Sequence, residues 1–537
     1  MPSSHDVSTR LGELSKHELE TIVLARPWHV GRQHDLHDLA DTLVSLESIV
    51  PTLRTLARPT LLSIAAGTAD QHGRDLFLAD AEGKTYPDVL AALPAILDQP
   101  LPAEPTVAGD SASVGLHSII GIRDLIEWVA DEPIAMSATG GLLKAEEKLL
   151  AAGLVLSDDA AGAIIRMAET AGLVRIIDRR LYATVRGIGM IDDLVALATA
   201  VADAVLSELS NSVRSACTDA KRLDTPFLEW LLPLRDEVGS KALTRLSNEL
   251  RLLGLVADGT TDFGRSALAG NGELARTITP ILPPLQSAVY VLDDLSIIAP
   301  GPVTSDTAKF LDVVSRVETR GLAPKRRFDS ALILRAIATG TTVESIVDRL
   351  NELSLTPVSA AVTSTISDIA ANGRFVTLNG TGTDTAAKAS HPELGDMLLT
   401  DPRLQRLAPV KVDDLSVLYG ASRLRVETTL IDNRYTVVSP RTEPVIVEPD
   451  MPSKLHDLAE HLHATGLGST HLERALISAG KTRSRVTLLV ETSTGAKTIT
   501  LEPRHVANGR VRGLDTNADV ERTLPISAII KLLAVGE

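Results

Sequence analysis

The chain predicts an α+β fold, mainly helical with small β wings, and three observations carry that prediction. Apolar residues recur at helical spacing over most of its length. Twice in the first half, at Ala171-Gly172-Leu173-Val174 and at Leu253-Gly254-Leu255-Val256, an amphipathic stretch closes with a Gly-Leu-Val step and runs into a short strand-turn-strand. From Arg485 onward the pattern changes to short strand-like segments separated by turn residues, which reads as a small β-rich domain.

The first part of the chain is helical and acidic. Ser15-Lys16-His17-Glu18 fits a capping box, in which the serine accepts from the third helical NH and the glutamate reaches back. That helix runs to Ala25 and stops before Pro27. Leu36, Leu39, Ala40 and Leu43 form one buried stripe, and Pro51 begins a third helix. Pro94, Pro100, Pro102 and Pro105 mark 94–109 as a linker. In the first Gly-Leu-Val unit a helix over 160–171 stops at Gly172, a strand over 173–177 turns at Asp178-Arg179-Arg180, and a second strand covers 181–185. A long helix over 191–209 leads to the second unit, where a helix over 246–253 stops at Gly254. There Leu255-Val256-Ala257 turns at Asp258-Gly259 toward Thr261-Asp262-Phe263-Gly264. A helix with an adjacent hairpin is the layout of a winged helix, which suits the major groove of duplex DNA and its flanking phosphates.

After Pro283-Pro284, residues 288–299 alternate like a strand and end at Pro300-Gly301-Pro302. Helices are expected over 306–318, 329–338, 343–353 and 359–371, followed by a strand over 374–378. Gly380-Thr381-Gly382-Thr383 and Ser439-Pro440-Arg441-Thr442 mark further breaks. One helix from Thr470 precedes strands over 485–491, 497–501, 510–514 and 522–525.

At 537 residues the chain is too long for one core and divides into several domains. Its hydrophobic content of 44% is ample for globular cores. A single cysteine, Cys217, excludes an internal disulfide and a cysteine-rich metal site, and points to the cytoplasm. No apolar run approaches the roughly 18 residues of a membrane span, since Asp192, Asp193 and Asp203 interrupt the longest alanine-rich helix. Met1 to Arg10 carries neither an apolar core nor a positive cluster, so no secretory signal is expected. The formal charge of -16 requires any phosphate contact to be local. Positive charge gathers at Arg175, Arg179, Arg180 and Arg186; at Arg316, Arg320, Lys325, Arg326, Arg327 and Arg335; and at Arg504, Arg510 and Arg512. Each cluster reads equally as solvated surface. The 3% aromatic content weighs against a stacking platform for single strands.

Catalytic signatures fail on context. Ala475-Leu476-Ile477-Ser478-Ala479-Gly480-Lys481-Thr482 matches a loose phosphate-loop pattern, but such a loop follows a strand and opens a helix. Here 471–479 reads as the helix itself, Gly480 as its stop, and the strand follows. His29, His34 and His37, and His456, His461 and His463, cluster without the spacing of a zinc site. No Gly-x-Ser-x-Gly elbow occurs. No catalytic residue, metal or cofactor is therefore expected.

The run Val289-Tyr290-Val291-Leu292-Asp293-Asp294-Leu295-Ser296-Ile297-Ile298-Ala299-Pro300-Gly301-Pro302, with the helices through Ile369 and the strand at Arg374, resembles the N-terminal domain of XPB-type DNA helicases. In actinobacterial relatives that domain sits in helicase-associated proteins without a motor, and Leu11-Gly12-Glu13-Leu14-Ser15, Ala25-Arg26-Pro27 and Asp38-Leu39-Ala40 resemble the start of the same group. The tail resembles a divergent WYL domain, a β-barrel-like module that senses nucleic acids or nucleotides, through 486–490, Thr494-Gly495, Leu501-Glu502-Pro503, 509–514 and 522–526. The tryptophan and tyrosine of its motif are missing near Val511-Arg512-Gly513, and Thr498 or Thr500 stands where an arginine is expected.

These readings give five expected domains: a helical domain over 1–110, a winged-helix-like unit over 111–190, a long helix with a second unit over 191–280, an XPB-like α/β domain over 281–450, and a WYL-like domain over 451–537. The expected function is a non-catalytic, helicase-associated accessory factor in DNA repair or transcription, whose partners are DNA and a separate helicase or other protein, and not a membrane. Candidate DNA contacts are Arg175, Arg179, Arg180, Arg186, Lys325, Arg326 and Arg327, with the helix before the first wing exposed. Candidate ligand contacts in the tail are Arg504, Arg510, Arg512 and Arg522. The alternatives are a protein-interaction scaffold and a ligand-sensing transcriptional regulator. The second wing carries no positive charge and is expected to pack against its neighbours.

Overall fold

Capping and apolar spacing place most helices of the computed structural model, which describes residues 4–26, 33–107, 111–131, 133–137, 141–142, 150, 158–379, 384–438, 445–448, 453–466, 471–492 and 495–536. His29 and the breaks at 380–383 and 439–442 lie outside the described residues, as does the side chain of His456. The chain is α+β, with helices interspersed among four small sheets.

The capping box forms as expected. Ser15 N donates to Glu18 Oε2 at 2.8 Å, Glu18 N donates back to Ser15 Oγ, and the helix runs Lys16–Ala25. Asp35 caps Leu36–Leu43, whose Leu36, Leu39, Ala40 and Leu43 are all buried. The next helix starts earlier than expected, at Leu46, with Pro51 inside it. Helix Ser453–Thr465 packs into this first core through Ala459 and Leu462, so the chain returns to its opening helices before the tail begins. Lys16–Glu460 at 2.9 Å and Arg474–Asp38 at 2.8 Å flank that contact.

The proline-rich linker is an extended strap across the second unit. Arg58 donates to the carbonyl of Leu97, Trp230 Nε1 to that of Gln99, and Arg222 to those of Pro102 and Ala103. Arg222 is itself held by the buried carboxylate of Asp224 at 2.7 Å.

Both Gly-Leu-Val units share one core and one local construction. In each, a left-handed glycine (Gly172, φ 68°; Gly254, φ 69°) ends a helix, and a buried threonine closes the following loop. Thr184 Oγ1 donates toward the carbonyls of Gly172 and Leu173 at 2.7 and 3.0 Å, and accepts from Gly187 N at 3.0 Å. Thr261 repeats this with Gly254, Leu255 and Gly264 at 2.7, 2.9 and 3.1 Å. A Cβ on Gly187 or Gly264 would stand 2.2 Å from the carbonyl oxygen of Leu173 or Leu255, so only glycine fits there. The units differ between glycine and threonine. The first has a three-stranded sheet in which Arg180–Ala183 lies between Ile134–Ala135 and Val174–Ile177. The second has only a Val256–Thr260 bridge, because its loop is too short for paired strands.

Residues 290–328 form a four-stranded antiparallel sheet: Tyr290–Val291 and Ser296–Ile298 are a hairpin, joined by Lys325–Phe328 and Ser315–Thr319. The expected helix over 306–318 ends at Val314, where Ser315 turns into that strand. Helices Ser330–Ala338, Val343–Leu353 and Ala360–Asn372 follow close to expectation. A third sheet, ordered Pro409–Lys411, Ser416–Tyr419, Thr385–Ala389, Val376–Asn379, Val437–Val438, has its own core around Tyr419. In the tail a five-stranded antiparallel sheet packs on helix His471–Thr482, and its edge strand Ile529–Gly536 was not foreseen.

Helix Ser111–Asp131 joins the first two units to the 290–328 sheet. The buried Arg123 guanidinium donates to the carbonyls of Ile191 at 2.9 Å and Val303 at 2.5 Å, and lies 2.7 Å from Glu127. Asp124, beside it, accepts from Gly321 N at 3.1 Å. Asp192 Oδ1 accepts from Ser305 N at 2.8 Å across the same boundary. Burial pushes the Glu127 carboxyl up to about 7, with Asp124 adding to the rise.

Thr184→Val and Thr261→Val each cost about 1–2 kcal/mol, through loss of a cap and of a partner for buried carbonyls; Gly187→Ala costs more than Thr184→Val. Chemical-denaturation midpoints check both statements. Because the folded carboxyl of Glu127 titrates above its ordinary value of 4.5, this group favours the folded chain at low pH, and that contribution is lost as pH rises toward about 7. Glu127→Gln therefore flattens the pH dependence of the melting midpoint across this window.

Candidate nucleic-acid interface

The first wing is a two-residue hairpin. Ile177 pairs with Arg180, and the turn residues Asp178 and Arg179 are both left-handed, at φ 47° and 60°. This backbone matches strand twist but favours Asn-Gly over Asp-Arg, so the turn holds two side chains in a conformation L residues rarely adopt. Arg179 and Arg180 lie at the exposed tip, and Arg186 lies exposed on the next short helix, Val185–Met190. Among the described residues, none of these three guanidinium groups has a side-chain hydrogen bond or ion pair. Arg175 is different: it donates to the carbonyl of Glu448 at 3.2 Å. There the segment around Val447 bridges Thr184 in parallel, exchanging bonds with Ala183 and Val185.

The helix before the wing does not face outward, which corrects the sequence-based expectation. In Asp158–Thr170, Ala160, Ala161, Ala163, Ile164, Ile165, Met167 and Ala168 are buried, and the helix packs among Ser111–Asp131, Leu194–Ser207 and Glu237–Leu252. Its arginine, Arg166, pairs with the buried Glu249 at 3.0 Å. Among its described side chains only Arg166, Glu169 and Thr170 are exposed, and with Arg166 held by Glu249 this leaves little to offer base edges. The second turn lies against the linker, since a Cβ on Gly259 would stand 2.1 Å from the Pro105 carbonyl oxygen.

The other basic candidates are largely tied down. Arg326 is buried against Asp312 and Ser315, and Lys325 and Arg327 share Glu318. Arg316 pairs with Asp329 at 2.5 Å. In the tail, Arg512 pairs with Glu521 at 2.6 Å and Arg522 with Asp515 at 2.7 Å, while Arg504 and Arg510 are exposed. The phosphate-loop look-alike lies within helix His471–Thr482, which continues through Gly480, and the strand begins afterward at Arg485. His37 is buried, and His461 contacts the His34 carbonyl. Among the described residues, no group of three His, Cys, Asp or Glu side chains is arranged to hold a metal. No single described helix is long and apolar enough to cross a membrane.

Sequence reading missed the threonine clasps, although each hairpin is followed by Thr-x-x-Gly, at Thr184-Val185-Arg186-Gly187 and Thr261-Asp262-Phe263-Gly264. The Val447 contact had no local signal, because it joins positions far apart in sequence.

No curated protein matches the chain. Residues 289–413 match the family described as helicase conserved C-terminal domain, which covers the whole 290–328 sheet, its helices and the first strands of the next sheet, and marks this region as helicase-related.

Proposed function

We propose that this chain is a non-catalytic, helicase-associated accessory protein that touches duplex DNA through phosphates at the tip of the first wing. The observation that carries the reading is the trio Arg179, Arg180 and Arg186, exposed and without side-chain partners among the described residues, in a protein of net charge -16. Held within one hairpin and the following turn of helix, they form a local positive patch that can displace counterions from a duplex. Burial of Asp158–Thr170 supports phosphate contact over base reading.

In this proposal the 111–190 unit is a winged helix, supported by its order of helix, strand, helix and hairpin and by the middle position of Arg180–Ala183 in the sheet. The 281–450 region is XPB-like and serves as a docking module without a motor. Supporting this, the strand pairs that lie wholly within residues 289–413 are antiparallel, and the region's one parallel pair of named strands among the described residues is the two-residue contact of Val437–Val438 with Val376–Asn379, whereas nucleotide sites of α/β folds lie at the ends of parallel strands. The tail is WYL-like, with Arg504 and Arg510 as exposed arginines that form no ion pair within 4 Å among the described residues. The scaffold reading is favoured by one observation, the enclosed helix; it predicts no retention of DNA at physiological salt.

Replacing Arg179, Arg180 and Arg186 together by alanine lowers affinity for duplex DNA and reduces the slope of log affinity against log salt by about 3. Fluorescence anisotropy over a salt series reads both, and an unchanged slope removes the wing as the contact. Arg179→Gly separates contact from folding. It relieves the left-handed turn, stabilising the chain by up to about 1 kcal/mol, while weakening DNA binding, so that melting midpoint and affinity move in opposite directions.

A further inference from the structure

We propose that a cleft between helix Ser111–Asp131 and the 290–328 sheet binds a phosphate-bearing small molecule, with Arg335 and Arg320 as the residues that grip it. The cleft has a volume of about 630 Å³ and is lined by Trp128 near the end of the helix, by four arginines of the helicase-related region (316, 320, 326 and 335), and by Asp131, Asp312 and Glu318, of which the last two are engaged by Arg326 and Arg327. That size lies within the usual range for small-molecule sites, roughly 300–1,000 Å³.

Two of these arginines are structural. Arg326 is satisfied by Asp312 and Ser315, and Arg316 by Asp329. The other two are not paired in this way. Arg335, half-buried on helix Ser330–Ala338, has a buried Nε without a hydrogen-bond partner, and no ion pair among the described residues. Arg320, also half-buried, lies over the Trp128 ring at 5.1 Å and close enough to the buried Asp124 and Glu127 to favour their charged forms, but it makes no hydrogen bond to a carboxylate among the described residues. Stacking holds that guanidinium by its face and leaves its N–H edge available.

A buried Nε without a partner on Arg335, beside the N–H edge of Arg320 that no hydrogen-bonded acceptor occupies among the described residues, leaves donors that an anionic ligand entering the cleft would satisfy. Two guanidinium groups match the charge of a phosphate monoester, whose three oxygens also accept more N–H bonds than a carboxylate can. The remaining volume accommodates a group the size of a nucleoside. Inorganic phosphate and nucleoside monophosphates share this chemistry, and the experiment distinguishes them. The site is separate from the wing and does not depend on DNA binding.

The test is titration of the full chain with inorganic phosphate and with adenosine 5′-monophosphate, followed by calorimetry and thermal melting, using wild type, Arg335→Met and Arg320→Met. Methionine keeps an apolar stem and removes the charge. Wild type binds at millimolar concentration or below, and each variant loses about tenfold or more in affinity. Tighter binding of the nucleotide assigns the rest of the cleft to the nucleoside, and equal binding assigns recognition to the phosphate alone. Without ligand, Arg335→Met melts at or above the wild-type midpoint. Failure of both probes to bind wild type at millimolar concentration, or unchanged affinity in Arg335→Met, overturns the proposal. A large loss of ligand-free stability in Arg335→Met also overturns it, because the guanidinium is then part of the packing.

Discussion

The arrangement depends on one buried guanidinium. Arg123 is 2% exposed in the middle of helix Ser111–Asp131, donating to the carbonyls of Ile191 and Val303. These acceptors belong to the stretch after the first wing and to the edge of the helicase-related region, so one side chain fixes two parts of the chain against a third. Buried charge is costly unless every donor is satisfied, and here two carbonyls and the acids Asp124 and Glu127 share that task. Burial is the main reason that Glu127 holds its proton to about pH 7, and the neighbouring Asp124 adds to the rise while Arg123 and Arg320 oppose it. The junction also places Trp128 where Arg320 stacks on it, so the floor of the cleft and the orientation of the wing share one support.

The same packing separates the exposed hairpin from the helix before it. Alanines on Asp158–Thr170 let three neighbouring helices approach closely, which builds the core but removes the surface a groove-reading helix would need. The hairpin tip, by contrast, is exposed. Its left-handed Asp178-Arg179 turn is unfavourable for a structure that needed only a tight reversal, and keeping an arginine there is consistent with use of the charge.

Local signals in the sequence were legible and long-range ones were not. Ser15 with Glu18, and Gly172 and Gly254, each act through backbone atoms a few residues away, so their spacing is sufficient to place them. The short strands were harder: Ser315–Thr319 continues directly from a helix, and only its pairing with Lys325–Phe328 makes it a strand. The arginine clusters at 175–186 and 316–335 looked alike in sequence. They differ because Asp312, Glu318 and Asp329 fold back onto the second, whereas no such acid reaches Arg179, Arg180 or Arg186 among the described residues. Return of Ser453–Thr465 to the first core and of Val447 to the wing had no local trace at all.

Hydrogen–deuterium exchange of the full chain with and without duplex DNA tests most directly whether the wing tip contacts phosphates while its helix stays in the core. The account predicts added protection over 177–187, with exchange in 158–170 slow and unchanged. Protection that appears in 158–170, or a wing unaffected by saturating DNA, would contradict it.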